Sequence, residues 1–590
     1  MPPIVPRWIR SVTVPLALSL FGDPPALADW PTSSLVNVPV CTAAGAQLGP
    51  VVTTDGSGGV ILTWSDARAG STNYDMYAQH VLASGVVDPG WAANGQAICT
   101  ATGRQFTPKI LSDGAGGAVL TWHDFRNGTT SDVYAQHVFA SGVVDPAWPA
   151  NGQAICTAAG NQNAIVMVSD EAGGAIMAWR DFRAGTTSDV YAQHVFGNGQ
   201  IDPAWPVDGR ALCTQPDSQS HPITPTIARD GHGGAIVAWQ DFRSQATFDV
   251  YAQHVRANGS LDPAWPVDGR ALCTAANDQR NPDMVADRAG GAIVCWRDSR
   301  GGTTSDIYAQ HVRADGVVDP GWPVDGQVVC SAVGDQQLPR IAADGAGGAL
   351  IVWVDSRSVS SGQDLYAQHL LASGMVDPGW PGDGRAVCTA FGTQINQTVV
   401  ADGAGGVLVA WQDARTSVFD IYLQHVLASG VADPAWPLDG RAVCTAAQSQ
   451  QLPATLADGS GGAIVAWTDA RADFFGDIYA QRVQANGQLG GTVVDVPREP
   501  SLALALDAVR PNPWRGGVLI LTFSLQSRRA ATLEVIDIAG RRVVTSELEA
   551  RGPGRGSATI ELSRHLTPGV YLVRLRQGGA ARLRRFAVIE

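Results

Sequence analysis

Short apolar segments separated by polar turns recur along most of this chain. In one unit the apolar segments lie at 107–112, 118–122, 133–138 and 154–157, and the turn DGAGG occupies 113–117 between the first two. Asp and Gly tolerate the backbone angles of tight hairpin turns. No window of comparable length shows the 3.6-residue period of an amphipathic helix. The pattern therefore predicts four short β-strands in each unit.

The fragment Tyr-Ala-Gln-His marks a repeat of 56 to 60 residues, with variants in the last two units. It begins at Tyr77, Tyr134, Tyr191, Tyr251, Tyr308, Tyr366, Tyr422 and Tyr479. A Trp on the preceding segment repeats in the same frame, at Trp64, Trp122, Trp179, Trp239, Trp296, Trp353, Trp411 and Trp467. Four strands per unit in eight units predict an all-β fold, an eight-bladed β-propeller.

The two ends of the repeat array complement each other. The eighth unit runs into residues 484–491 without the Asp-Pro-x-Trp loop and the Cys strand that close the other seven units. The missing half stands at the other end, where Trp30-Pro31 precedes VNVPVCT at 36–42. We therefore expect the N-terminal strand to complete the last blade, which removes an exposed sheet edge.

Three charged positions occur in all eight units, around the loop between the second and third strands. One Arg can bridge two carboxylates, so the set is interpreted as a structural clamp, with a ring of ligand sites as the alternative. The candidate residues are Asp66, Arg68, Asp75, Asp124, Arg126, Asp132, Asp181, Arg183, Asp189, Asp241, Arg243, Asp249, Asp298, Arg300, Asp306, Asp355, Arg357, Asp364, Asp413, Arg415, Asp420, Asp469, Arg471 and Asp477.

The His and Cys residues also follow the repeat. One His per unit stands on the third strand, with Arg482 in its place in the eighth, so we interpret these histidines as structural and predict no metal site. Eight of the nine Cys residues occupy one equivalent position on the fourth strand. Equivalent outer positions of neighbouring blades lie too far apart for disulfides, so we expect buried free thiols.

A single active site would depart from the repeat. The departures noted are His123, His221, His232 and an insertion within 215–225. No nucleophile triad, zinc motif or phosphate loop is present, so we predict no catalytic residue and no cofactor. Lys109, the only lysine in the chain, is attributed to coding bias.

The last 90 or so residues carry a different pattern of short alternating segments, which predicts a small β-sandwich. The series PNPW at 511–514, LTFSL, LEVIDIAGRRV, LTPGVYLVRL and RRFAVIE resembles the C-terminal sorting domain of type IX secretion substrates. It equally resembles the immunoglobulin-like module of flagellar hook-capping proteins. The resemblance covers about 506–590 and implies export across the outer membrane of a Gram-negative-type bacterium, with the secretion machinery as a partner. The final Glu590, where a basic residue is typical, departs from it.

The charge and the N-terminus bear on location and partners. Residues 498–590 carry 15 Arg against 8 Asp and Glu, a net charge of +7. Because the whole chain has a net charge of −14, the remainder has a net charge of −21. An acidic body excludes nucleic acid as a partner. Arg7 and Arg10, the apolar residues 11–22 and Ala26-Leu27-Ala28 are typical of a secretory signal peptide. No later segment is long and apolar enough for a membrane helix.

These observations predict a signal peptide at 1–28, a propeller at 29–497, a linker at 498–505 and an immunoglobulin-like sorting domain at 506–590. The favoured function is a secreted or cell-surface scaffold that binds an extracellular protein or glycan without catalysis. A lectin with one site per blade is the first alternative. A sialidase-like or other glycoside hydrolase is the second, and it requires two carboxylates about 5–10 Å apart in a cleft.

Overall fold

The computed structural model describes residues 29–491 except 71, 186, 216–224, 359–361 and 473–474, and residues 505–589 except 517, 526–530, 549–553, 563–565 and 578–579. Every regular element in these ranges is a β-strand, and none is a helix that could cross a membrane. The chain divides into two compact units, Met1–Val493 and Val494–Glu590. The predicted signal peptide and nearly all of the predicted linker lie outside the described residues.

The first unit consists of eight four-stranded antiparallel sheets, the blades. Blades 1 to 4 contain β2 Gln47–Thr54, β3 Val60–Asp66, β4 Asp75–Val81, β5 Gln96–Cys99; β6 Gln105–Ser112, β7 Ala118–Asp124, β8 Asp132–Val138, β9 Gln153–Cys156; β10 Gln162–Ser169, β11 Ala175–Asp181, β12 Asp189–Val195, β13 Arg210–Cys213; and β14 Thr226–Arg229, β15 Ala235–Asp241, β16 Asp249–Val255, β17 Arg270–Cys273.

Blades 5 to 8 repeat this order. They contain β18 Gln279–Ala286, β19 Ala292–Asp298, β20 Asp306–Val312, β21 Gln327–Cys330; β22 Gln336–Ala343, β23 Ala349–Asp355, β24 Asp364–Leu370, β25 Arg385–Cys388; β26 Gln394–Ala401, β27 Val407–Asp413, β28 Asp420–Val426, β29 Arg441–Cys444; and β30 Gln450–Ala457, β31 Ala463–Asp469, β32 Asp477–Val483 with β1 Val38–Cys41.

The blades close into a ring. The innermost strands β2, β6, β10, β14, β18, β22, β26 and β30 contact one another in that order, and β30 returns to contact β2. The N-terminal strand β1 pairs antiparallel with β32 as the outermost strand of blade 8. The predicted propeller and its closing strand are therefore confirmed. We call β1 the closing strand below.

The second strand of each blade is almost entirely buried because both faces of the sheet pack against neighbours. All seven residues of β3 and of β7 are buried. A hydrophobic cluster lies at every interface between consecutive blades, including the one between blades 8 and 1. Removal of these apolar faces from water is the main favourable contribution to folding.

The turn between the first two strands is capped by its own Asp. In blade 2, Oδ1 of Asp113 accepts the backbone N–H groups of Ala115 and Gly117 at 2.6 and 2.9 Å. Gly114 and Gly116 have φ angles of +77° and +94°, which are strained for other residues. The Asp-Gly-x-Gly-Gly sequence thus forms the predicted hairpin.

All nine cysteines are free and buried, as expected from the spacing of the outer strands. Burial raises the pKa of Cys41 and of Cys99 to about 12. At that pKa the thiolate is scarcely populated at neutral pH, so the thiols are chemically quiet.

The second unit is a two-sheet β-sandwich. Its strands are β33 Ala505–Arg510, β34 Val518–Leu525, β35 Ala531–Asp537, β36 Arg542–Leu548, β37 Gly554–Glu561, β38 Gly569–Gln577 and β39 Ala580–Val588, in the sheets β33-β34-β37 and β36-β35-β38-β39. Both sheets contribute to one core that contains Leu521, Phe523, Leu533, Val573 and Phe586. An immunoglobulin-like topology stays a prediction.

Candidate functional site

Each blade holds its repeated Arg against the Asp that ends the second strand. In blade 1, Nε and Nη2 of Arg68 donate to the two carboxylate oxygens of Asp66 at 2.9 and 2.6 Å. The same Nη2 donates to the carbonyl of Asn94, and the guanidinium lies 3.8 Å from the centre of the Tyr77 ring. Asp66 also accepts the indole N–H of Trp64. A fully buried carboxylate requires such partners because its desolvation is otherwise uncompensated.

The ion pair has the same geometry in all eight blades. The N···O distance is 2.6 or 2.7 Å, the Asp side chain is inaccessible, and the Arg side chain is 16–23% exposed. The guanidinium also approaches the Cys of the preceding blade, as Arg126 Nη2 does at 3.5 Å from the sulfur of Cys99. These contacts connect the fourth strand of one blade to the second strand of the next.

The third charged position is not held by the Arg, which corrects the expected bridge between two carboxylates. Among the described residues the ion pairs of Arg243 reach Asp241 alone, and Asp249 lies opposite Asp241 in the β15–β16 ladder. Burial, followed by the charge of Asp241, raises the pKa of Asp249 to about 6. The pKa values of Asp75, Asp132 and Asp189 rise to about 6 for the same reasons. Each Arg serves one carboxylate, a backbone carbonyl and an aromatic ring.

The repeated His lies between two carboxylates. In blade 3, Nε2 of His194 is 3.1 Å from the turn Asp170, and Nδ1 is 2.9 Å from Asp202 of the Asp-Pro-x-Trp loop. Only the charged ring donates from both nitrogens. Burial lowers the pKa of His194, but the hydrogen bonds and charges of the two Asp residues raise it more, so the net shift is upward.

Blade 8 replaces this His by Arg482, whose guanidinium lies 2.8 Å from Asp458. A permanent cation at the one departure from the pattern supports a requirement for positive charge here. The other six histidines have the same two partners, at His80, His137, His254, His311, His369 and His425. Among the described residues no group of three or more His, Cys, Asp or Glu side chains has the geometry of a metal site.

Residues that differ from blade to blade collect along the innermost strand. At its third position the strand pairing shifts register, and the residue there has a φ angle between +51° and +61° in the seven blades where it is described. Thr107, Ala164, Leu338 and Leu452 adopt this left-handed conformation although they carry side chains. Such bulges and strained residues concentrate next to functional sites.

In three blades the residue before the repeated Asp secures the bulge of the next blade. Gln240 accepts the backbone N–H of Asn281 at 2.9 Å, and Gln412 accepts that of Leu452 at 2.9 Å. Thr468 of blade 8 accepts the N–H of Gly49 of blade 1 at 3.1 Å. The residue before the repeated Asp therefore has a structural role in these three blades, which is to hold the bulge of the next blade. A blade with a different residue at this position has lost that role and is of interest for function.

Blade 2 places His123 at this position. His123 is 6% exposed, and its Nε2 has no hydrogen-bond partner among the described residues. Burial, followed by the charges of Lys109 and Arg180, lowers the pKa of His123 to about 4, so the ring is neutral at physiological pH. An unpaired buried nitrogen costs about 1–3 kcal/mol, so it calls for a functional explanation.

His123 lines a cavity of about 520 Å³ at the junction of blades 2 and 3. The cavity is also lined by Phe106, Phe125, Ser131, Asn161, Asn163 and Arg180. Arg180 donates from Nε to Asn163 at 2.7 Å, and it has no carboxylate within 4.0 Å among the described residues. Burial lowers the pKa of Arg180.

A second cavity, of about 430 Å³, adjoins the first, and Phe106 and Thr107 line both. Arg104, Lys109 and Tyr74 line it, and it extends to Leu452 of blade 8. The rings of Phe106 and Phe125 are stacked, with centroids 5.4 Å apart. We call these two adjacent cavities the blade 2 cleft. None of the described residues that line it is acidic.

A third cavity, of about 280 Å³, adjoins the second, and Val51 and Lys109 line both. This channel cavity is lined by innermost-strand residues of blades 1 to 5, among them Thr226 and Asp283. Burial, followed by the charge of Arg340, lowers the pKa of Lys109, while Asp283 opposes the shift.

The structure thus separates the repeated candidates, of which the Arg and the first Asp form an ion pair in every blade, from the cleft. Of the departures noted in the sequence, His123 lies in the cleft, His232 lies in an exposed turn, and His221 lies outside the described residues. Sequence reasoning missed Arg104, Phe106, Lys109 and Arg180. Comparison of the innermost strands position by position would have found Lys109, because the equivalent residue is Val51, Val166, Thr226, Asp283, Arg340, Thr398 or Ala454 in the other blades. The attribution of Lys109 to coding bias overlooked its place in the fold.

Comparisons with known proteins identify the tail more closely than the propeller. No curated protein sequence matches the chain. Among solved structures, an ulvan lyase of polysaccharide lyase family 25 is 10% identical over 69% of this chain and 96% of its own, with a TM-score of 0.39. The Hadza microbial sialidase Hz136 is 11% identical over 61% and 74%, with a TM-score of 0.31. An α-L-arabinanase of Penicillium chrysogenum is 14% identical over 60% and 97%, also with a TM-score of 0.31.

None of these three likenesses identifies a substrate for the chain. The tail is different, because residues 508–590 match the model of the secretion system C-terminal sorting domain. The protein is therefore secreted or displayed on the outer surface of a Gram-negative-type bacterium, and its C-terminal unit is a type IX sorting domain.

Proposed function

We propose that this protein is a secreted binding protein for acidic saccharides, with one ligand site in the blade 2 cleft. The observation that carries the proposal is the group of three cations in the cleft, Arg104, Lys109 and Arg180, which have no carboxylate within 4.0 Å among the described residues. They stand in a unit whose net charge is strongly negative. Unpaired cations beside an otherwise acidic surface favour an anionic ligand of limited length.

The other lining residues favour a ligand with rings and hydroxyl groups. Phe106 and Phe125 offer an aromatic face, and Asn161 and Ser131 offer donors and acceptors. Ligand pockets combine apolar walls with a few polar groups that fix orientation. A uronate ring would stack on Phe106, with its carboxylate on Arg180 and a hydroxyl group on Nε2 of His123.

The alternatives fit the cleft less well. A lectin with one site per blade would use the repeated Asp and Arg residues, but in every blade that Asp is inaccessible and already paired. A glycoside hydrolase requires two carboxylates, and neither cavity of the cleft is lined by one. Binding without hydrolysis is the function that these residues support best.

Three probes of equal length test the proposal by titration calorimetry. Tri-galacturonate has rings and charge, maltotriose has rings alone, and triglutamate has charge alone. We expect binding of tri-galacturonate, with affinity for either other probe weaker by on the order of tenfold or more. Arg180→Gln should weaken tri-galacturonate binding by about tenfold or more, because a charge-assisted pair is lost.

Arg313→Gln is the matched control, because Arg313 lies on the exposed rim and pairs only with Asp315 among the described residues. It should bind as the parent does. Equal binding of triglutamate would refute the saccharide class, and failure of all three probes would refute the proposal. Release of shorter fragments from tri-galacturonate on prolonged incubation would refute binding without catalysis.

A further inference from the structure

Three charged residues lie at one level of the propeller channel, and none of them belongs to the repeated Arg–Asp pairs. We call them the charged layer. Lys109, Asp283 and Arg340 occupy the same register position on the innermost strands of blades 2, 5 and 6. Most of the equivalent residues in the other blades are apolar or Thr. Three charges at one level of a channel depart from the repeat as clearly as the cleft does.

The one carboxylate of the layer is already engaged. Oδ1 of Asp283 accepts the N–H of Met284 and the hydroxyl of Thr226, and Oδ2 accepts the N–H of Ile341. No ion pair within 4.0 Å joins Asp283 to Lys109 or Arg340 among the described residues. Asp283 therefore holds blades 4, 5 and 6 together, and the two cations keep a net positive charge.

The channel cavity adjoins the blade 2 cleft. Lys109 and Val51 line both the channel cavity and the second cavity of the cleft. At about 280 Å³ the channel cavity is the smallest of the three, and its other lining residues are largely apolar, among them Ile110, Ile227 and Met284. It is below the usual range of about 300–1,000 Å³ for whole ligands, so it suits one terminal unit.

We infer that the channel cavity is a terminal subsite, in which Lys109 binds the carboxylate at one end of an acidic oligosaccharide whose other units lie in the blade 2 cleft. Arg340 does not line the cavity, but it stands at the register position of Lys109 on the innermost strand of blade 6 and adds positive charge to this layer. This inference rests on the proposed function and adds a specificity to it. Recognition depends on a chain end, since an internal segment would have to pass through the ring of eight innermost strands.

Competition between oligomers of different length tests this subsite. Labelled tri-galacturonate is bound to the protein and then displaced with unlabelled trimer or with long homogalacturonan. The concentration of competitor that displaces half of the label is expressed both per chain end and per sugar residue. Recognition of the end predicts equal potency per chain end. Equal potency per sugar residue would overturn the inference, because it means that internal segments bind.

Two variants separate this inference from the proposed function. Lys109→Met should weaken trimer binding by on the order of tenfold and Arg340→Met by less, and each should leave binding of the galacturonate monomer to Arg180 and Phe106 nearly unchanged. Arg313→Gln again serves as the control, and thermal melts of all variants establish that they fold. Weakening by Arg180→Gln but by neither channel variant would refute the terminal subsite alone. Absence of trimer binding to the parent protein would refute both.

Discussion

The outer part of each blade and the channel side of blades 1 to 3 use charged residues in opposite ways. In the outer part the repeated Arg after the second strand and every strand His have a carboxylate partner, and the geometry is the same from blade to blade. Arg104, Lys109 and Arg180 of the blade 2 cleft have no such partner among the described residues. Arg340 stands at the position of Lys109 in blade 6 and Arg297 at that of Arg180 in blade 5, so it is the combination of the three cations that sets the cleft apart. We therefore interpret repetition as the mark of the residues that build the ring, and we propose that departure from it marks the surface available to a ligand.

Removal of the closing strand is the most severe test of the ring. Deletion of residues 30–42 takes away Trp30, which is buried, and the strand that pairs with β32. It exposes both the sheet edge of blade 8 and the cluster between blades 8 and 1. We expect loss of the cooperative thermal transition that a chain beginning at Asp29 shows. An unchanged melting temperature would mean that the ring does not depend on this strand.

Replacement of Arg243 by Ala tests the clamp in one blade. Loss of the cation leaves the inaccessible Asp241 with the indole N–H as its main remaining side-chain donor, so the free energy of unfolding should fall by about 3–5 kcal/mol. Arg313→Ala, which breaks an exposed pair, should cost only about 0–1 kcal/mol. Binding of tri-galacturonate should persist in the Arg243 variant below its melting temperature. Native-like melting would show that the repeated Arg is not a clamp.

The paired histidines predict a stability that falls as the pH rises. The pKa values of His80, His194 and His311 are raised above 6.5, so their stabilisation is complete below that value and is lost as the pH rises through the folded pKa. Carboxylates with raised pKa, such as Asp249 at about 6, act in the same direction. Urea unfolding from pH 5 to pH 9 should show this decline.

His194→Gln should cost about 1–3 kcal/mol at pH 5.5 and less at pH 9, because it removes the form that donates from both nitrogens. The exposed His232 provides the control, since His232→Gln should alter stability little at either pH. An equal cost of His194→Gln at both pH values would show that the ring is neutral between its two Asp residues.

The smallest expected effect concerns the cysteines. The native protein at pH 8 should react negligibly with a thiol reagent, because burial raises the pKa values of Cys41 and Cys99 to about 12. The denatured, unreduced protein should react at all nine Cys residues. A count near one would indicate disulfides and would contradict the outer position of the Cys strands.

The sequence predicts the ring well because each blade faces the same environment. Eight copies of the Trp and Tyr markers establish the strand order, and the split unit reveals the closing strand. The contacts that an individual side chain makes are harder to predict from the sequence. That Arg243 would turn to a carbonyl and to the Tyr251 ring rather than to Asp249 depends on loop geometry, which spacing does not define.

The blade 2 cleft was hidden for a different reason. Its residues lie on neighbouring blades more than 50 positions apart, as Phe106 and Asn163 do, and they share no motif. Only the closed ring brings them together. His123 stood out because it interrupts a repeated pattern, whereas Arg180 was overlooked because one surface Arg resembles another in a sequence.

The number of ligand molecules bound per chain tests the central claim most directly. Titration calorimetry of the parent protein with tri-galacturonate, at protein concentrations well above the dissociation constant, measures this ratio. One molecule per chain, with the ratio unchanged and the affinity reduced in Arg180→Gln, is the result that a single site in the blade 2 cleft predicts. A ratio near eight would place the ligand on the repeated residues of every blade and would contradict the account.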